Sequence, residues 1–112
     1  MYSKKNNELL IGDQKVVFKY NIRYVEKVND TFVVLLEIPY NEMYLDNVFG
    51  VSKNGEIIWR IENAGKVYST KNQLPYENLT INENEASVSD FYGRRYFFNP
   101  SSGKLISRDI VK

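Results

Sequence analysis

Apolar and polar residues alternate most regularly between Lys15 and Val28. Val16, Phe18, Tyr20, Ile22 and Tyr24 fall on one face, and Lys15, Lys19, Arg23 and Lys27 on the other. A period of two over this length predicts one long antiparallel strand with a single buried face. Asn29-Asp30 separates it from Thr31 to Ile38, which is apolar on both faces up to Leu36 and so predicts the most buried strand, ended by Pro39. Two residues of this type between two apolar runs predict a tight hairpin. Strands are expected next over 47–51 and 56–62, then a long unpatterned stretch from Asn63 to Asn78. The last third predicts a four-stranded meander over 79–82, 86–91, 94–99 and 104–110, with polar or Gly-bearing turns between the strands. A short amino-terminal strand completes the set, and a short helix is an open alternative in 40–46 or 64–73.

The predicted fold is therefore all-β: a single domain over 1–112, with about eight or nine strands in an antiparallel sandwich or partly open barrel and little or no helix. Composition agrees. Nine Tyr and six Phe suit strands, and Ala occurs only at 64 and 86.

A hairpin signature occurs twice. Phe49-Gly50-Val51-Ser52-Lys53-Asn54-Gly55-Glu56-Ile57-Ile58-Trp59-Arg60 and Phe97-Phe98-Asn99-Pro100-Ser101-Ser102-Gly103-Lys104-Leu105-Ile106-Ser107-Arg108 place their turn glycines 48 positions apart (103 − 55). Both resemble the β-propeller blade repeat of quinoprotein-type proteins, with its Asp-x-x-Thr-Gly-Lys-x-x-Trp run. Val51, Asn54, Gly55, Glu56 and Trp59 correspond in the first copy, and Asn99, Ser102, Gly103, Lys104 and Ser107 in the second. Gly is kept in both, Trp and Lys in one each, Asp in neither. A propeller needs at least four blades, and this chain has material for two, so the resemblance implies two blade-like meanders and no quinone. Trp59, surrounded by Ile57, Ile58 and Ile61, reads as a core residue before a partner anchor.

Chemistry is narrowed by what is missing. The chain has no Cys and no His, which removes thiolates, disulfides, the commonest general base and the commonest transition-metal ligand. Carboxylate pairs such as Glu83/Glu85 or Glu42/Asp46 lack a predicted deep cleft. The expectation is a non-catalytic chain with no cofactor and no metal. No stretch has the length of a membrane span, and Leu9-Leu10-Ile11 is too short for a secretory core, so a cytoplasmic location without membrane contact is expected.

Two basic features invite a nucleic-acid reading: the Lys15-Lys19-Arg23-Lys27 stripe and Tyr92-Gly93-Arg94-Arg95-Tyr96-Phe97-Phe98. The net charge of only +1 argues against it. The acidic layout is more pointed. Residues 28–52 hold Asp30, Glu37, Glu42 and Asp46, residues 72–93 hold Glu77, Glu83, Glu85 and Asp90, and neither stretch contains a Lys or Arg. The same stretches carry Tyr40, Tyr44, Tyr76 and Tyr92. Acidic groups beside Tyr suit capture of a basic protein, by steering and then by aromatic anchoring. The candidate partner-binding set is accordingly Tyr40, Glu42, Tyr44, Asp46, Tyr76, Glu77, Glu83, Glu85, Asp90 and Tyr92.

In size, in its richness in Asn, Lys, Tyr and Ile, and in its blade-like hairpins, the chain resembles the small immunity proteins of bacterial contact-dependent and polymorphic toxin systems. That resemblance implies a stoichiometric inhibitor that occludes the active site of a cognate toxin domain, often a nuclease. The alternatives are an accessory β module that binds a peptide by strand addition and, third, a nucleic-acid-binding β protein.

Overall fold

The computed structural model describes residues 1–111, and among them eleven strands form three antiparallel sheets, none closed into a barrel. A small sheet comprises β1 (Tyr2–Lys5), β2 (Glu8–Ile11) and β3 (Gln14–Val17). A second comprises β4 (Ile22–Val28), β5 (Thr31–Leu36), β6 (Val48–Ser52) and β7 (Ile57–Arg60). After a five-residue helix, α1 (Ala64–Tyr68), the third comprises β8 (Tyr76–Asn82), β9 (Glu85–Asp90), β10 (Arg94–Phe98) and β11 (Leu105–Ile110). Within each sheet every strand lies beside its neighbour in sequence. Among the described residues no helix is long and apolar enough to cross a membrane.

The strand count exceeds expectation because the short amino-terminal strand is a hairpin, β1–β2, and the single strand predicted over 15–28 is two strands in different sheets. The chain leaves β3 at Val17 and crosses to β4 over residues 18–21. The β1–β2 turn clasps this crossing. Phe18 N–H donates to the Asn7 carbonyl (2.9 Å), Asn7 Nδ2 donates back to the Phe18 carbonyl (2.8 Å), and Ile22 N–H donates to the Asn6 carbonyl (2.8 Å). A register shift between Ile22 and Tyr24 then inverts the alternation. An extra residue in one strand of a pair moves every later side chain to the other face. Val25 and Val28 are therefore buried, while Tyr24 faces out. The Asn29-Asp30 hairpin forms as expected, with Val28 opposite Thr31 and Asn29 at φ 54.

All six residues of β5 are buried because this strand has a core on each face. Val33 and Leu35 join Val28, Val48, Trp59, Tyr76, Val88, Tyr96 and Phe98, a cluster shared by the two four-stranded sheets. Phe32, Val34 and Leu36 join Leu9, Ile11, Val16, Phe18, Ile22 and Val25, a cluster shared with the small sheet. Each fully buried Val or Leu contributes on the order of 2 kcal/mol relative to exposure.

Two polar devices fix the four-stranded sheets to each other. Asn47, fully buried, donates from Nδ2 to the carbonyls of Leu36 and Tyr76 (both 2.9 Å) and accepts from Tyr76 N–H through Oδ1 (2.8 Å). The second device joins the two copies of the hairpin signature. Trp59 Nε1 donates to the Pro100 carbonyl (3.0 Å), and its ring lies where a Cβ on Gly103 would fall 2.6 Å from Cε3. A Cβ on Gly50 would collide with the same indole. Glu62 continues the contact, donating from its N–H to the Gly103 carbonyl (3.0 Å) and accepting from Leu105 N–H (2.7 Å). Trp59 is thus a core residue that docks one hairpin onto the turn of the other.

Candidate functional site

Three segments distant in sequence meet in a groove of about 620 Å³. One wall is the connection after β5, with Ile38, Pro39, Tyr40, Glu42 and Met43. A second part of the lining is the entry to β8, with Leu74, Pro75, Tyr76 and Glu77. Phe91 and Tyr92, at the β9–β10 turn, close one end, and Arg23 reaches in from β4.

Each wall is held by its own chemistry. β5 stops at Leu36, short of the predicted end at Pro39, and the Pro39 carbonyl accepts from Glu42 N–H (3.0 Å), turning the chain. The Tyr20 hydroxyl donates to Glu42 Oε1 (2.7 Å), and this acceptor raises the Tyr20 pKa above its ordinary value. Tyr44 packs edge-on to Tyr20 (4.9 Å) beneath the Arg60 guanidinium (4.7 Å). Arg60 in turn donates to the carbonyls of Leu45 (2.7 Å) and Asp46 (2.9 Å). Asp46 sits at φ 55 with its carboxylate accepting from Asn63 Nδ2 (3.0 and 3.2 Å). These contacts leave Tyr40 and Met43 pointing to solvent at the rim.

The β9–β10 turn is built around Asp90, which is buried. Its carboxylate accepts from the N–H groups of Tyr92 (3.0 Å) and Arg94 (3.1 Å) and from Arg94 Nε (2.7 Å). The other two guanidinium nitrogens of Arg94 donate to the carbonyls of Lys71 (2.8 Å) and Asn72 (2.9 Å). The turn is rigid, yet it presents Phe91 and Tyr92 at 74% and 62% exposure. Large apolar side chains held out of the core beside a groove mark a contact surface.

The ten candidate residues therefore separate. Tyr40, Glu42, Tyr76, Glu77 and Tyr92 line the groove. Tyr76 forms its floor: it is 5% exposed, and burial, reinforced by Asp46, Tyr96 and Asp90, raises its phenol pKa. Tyr44, Asp46 and Asp90 support the walls from behind. Glu83 and Glu85 lie at the β8–β9 turn beyond Asn82, which is six residues along the strand from Tyr76, or roughly 20 Å at ~3.3 Å per residue. Glu85 borders a separate recess of about 390 Å³ with Phe97, Pro100 and Ile106.

The basic features disperse. Lys15 pairs with Glu8 (3.8 Å), Lys19 lies over the rings of Tyr20 and Tyr44 (both 5.6 Å), and Arg23 enters the groove, so no continuous stripe exists. Arg94 is spent on Asp90, and Arg95 forms a two-pronged pair with Asp109 (2.7 and 2.6 Å). Among the described residues no group of three Asp or Glu is placed to hold a metal ion.

Ile38, Pro39, Met43, Leu74, Pro75, Phe91 and Arg23 belong to the groove without a sequence signal that singled them out. The only hint was Phe91, next to Tyr92 in an otherwise polar turn; Arg23 was hidden in the apparent stripe.

A family model described as "Domain of unknown function (DUF7957)" matches residues 1–110. No curated protein matches the chain.

Proposed function

We propose that this chain, which belongs to the DUF7957 family, is a non-catalytic protein-binding module whose contact surface is the groove between residues 38–43, 74–77 and 91–92. One observation carries the reading: the two stretches without Lys or Arg bring exposed aromatics and two carboxylates, Glu42 and Glu77, to the same groove. Aromatic anchors in a concave site supply affinity, and rim carboxylates steer a basic partner. The resemblance to immunity proteins gives that partner its most specific form, a basic toxin domain whose active site the module covers. In this reading the two four-stranded meanders stack as a sandwich that holds the groove rigid.

The test begins with the gene directly upstream: a secreted protein ending in a short basic carboxy-terminal domain supplies the purified partner, and an unrelated neighbour removes the toxin form of the reading. Replacing Phe91 and Tyr92 together by Ala is expected to weaken binding by about thirtyfold or more, as for hot-spot aromatics. Glu42→Lys with Glu77→Lys should slow association and flatten its salt dependence. Glu83→Lys with Glu85→Lys, at the far end of β8, should change little. Equal effects from the two charge pairs would remove the groove from consideration.

A second reading is peptide capture by strand addition. It is favoured by β11, an edge strand with Ile106 and Ile110 at 65% and 64% exposure. Sensitivity to Arg108→Pro, at a position whose N–H faces away from β10, with indifference to the groove variants, would select it.

A further inference from the structure

Consecutive hairpins in a meander put alternate turns at opposite ends of the sheet. The groove lies at the end marked by the β9–β10 turn. At the other end the β4–β5, β8–β9 and β10–β11 turns converge on the recess of about 390 Å³. Val28, Ala86 and Phe98, all buried, give it an apolar floor. Half-buried Phe97 and exposed Ile106, the extra residue at the β10–β11 register shift, add apolar lining. The polar lining is exposed: Asn29, Asn84, Glu85, Asn99, Ser101 and Ser107.

The rim is ordered by contacts within the chain. Ser102 and Gly103 N–H groups donate to the Asn99 carbonyl (3.2 and 2.7 Å), and Trp59 Nε1 holds the Pro100 carbonyl (3.0 Å). Asn99 Oδ1 accepts from Ser101 N–H (2.8 Å), which leaves its Nδ2 as a donor. Asn29 and Glu83 take left-handed backbone (φ 54 and 60), shaping the other two turns. A rim set before binding spares a ligand the cost of ordering it.

The inventory of the lining selects the ligand. Glu85 is its one charged side chain, and no Lys or Arg is present, so phosphates and carboxylates are disfavoured, nucleotides included. Three amides and two hydroxyls each offer a donor and an acceptor, while Glu85 accepts only. The matching ligand group both donates and accepts, as a hydroxyl does. Phe97 and Ile106 require an apolar face on the same ligand. A pyranose ring has both, with C–H groups on its faces and hydroxyls around its edge, and the volume suits a small ligand.

We propose that this recess is a second ligand site that binds one neutral hexose unit. A C–H face of the sugar lies on Phe97 and Ile106, and its hydroxyls meet Asn29, Asn84, Asn99 and Glu85. The site is independent of whether the groove binds a protein.

The experiment titrates the isotope-labelled full chain with glucose, galactose, mannose and N-acetylglucosamine, and with glucuronate and adenosine as controls. At least one neutral sugar is expected to shift, saturably and at millimolar concentration, the side-chain amides of Asn29, Asn84 and Asn99 and the backbone amides of Ser101 and Ser107. Glucuronate should bind at least about tenfold more weakly than that sugar, and Glu85→Gln should narrow the gap to about threefold. Phe97→Ala should weaken the sugar about tenfold and Asn84→Ala about fivefold. Phe97 pairs with Ser87 and Ser107 on the outer face of its sheet, so its loss leaves the core in place, and the spectra of both variants report the fold. No recess shift from any of the four sugars at tens of millimolar, or shifts centred elsewhere, would overturn the inference. So would glucuronate or adenosine binding as tightly as the best sugar, or undiminished binding in either variant.

Discussion

Asn47 does the work of a strand neighbour with a single side chain. Its amide satisfies both the N–H and the carbonyl of Tyr76, together with the Leu36 carbonyl. Asn47→Ala leaves those three backbone groups buried and unpaired, and is expected to cost about 3–5 kcal/mol, a large share of the stability of a domain this size. Denaturant unfolding checks this, and a loss below about 1 kcal/mol would mean that water replaces the amide. Tyr76 itself carries a pH dependence. Burial raises its phenol pKa above the ordinary 10.0, so the folded chain holds this proton more tightly than the unfolded chain. The resulting stabilisation is complete below pH 10.0 and is lost as the pH rises above it. Absorbance titration near 295 nm should show a late phase containing Tyr76 and the Glu42-bound Tyr20, and Tyr76→Phe should reduce it by one tyrosine. A wild-type titration with no late phase would contradict the burial of this phenol.

Hairpins and their turns were the legible elements. The Asn29-Asp30 loop, the β6–β7 hairpin and the carboxy-terminal meander are written in local turn chemistry and a period of two, which need no tertiary context. The 15–28 segment misled for a physical reason: alternation continues through a crossing between sheets, because Val16, Phe18, Tyr20 and Ile22 all face one core and only the shift at Arg23 breaks the phase. The groove was half legible. Charge-free-of-Lys stretches with Tyr pointed to Tyr40, Glu42, Tyr76, Glu77 and Tyr92, but composition does not reveal which acids are consumed inside turns, as Asp46 and Asp90 are. Two turn glycines offer a clean comparison at this scale. Gly12 and Gly103 both have positive φ, 57 and 76, but a Cβ meets nothing within 4 Å at Gly12, whereas at Gly103 it meets Trp59. Gly12→Ala should cost about 1 kcal/mol, the left-handed backbone penalty alone. Gly103→Ala should cost at least about 2 kcal/mol more, seen as an additional fall in Tm of roughly 8 °C or more. Equal losses would show that the indole yields without resistance.

At the scale of the molecule, support and contact are divided between different residues. The second sheet is covered on both faces and carries both cores, while the groove draws on connections and one turn that are pinned at their backs by Arg60, Asn63 and Arg94. Side chains on its rim are consequently free to vary without disturbing either core. The strand order has a consequence for how this chain is made. Because each sheet is a run of sequence neighbours, its ladders close over short separations, and each meander can form as soon as its own strands leave the ribosome. What must wait is the clasp across the chain, in which Asn47 meets Tyr76 and Trp59 meets Pro100. The groove comes into existence only at that last step, so the surface proposed for a partner is absent from a nascent or partly folded chain and belongs to the finished molecule alone.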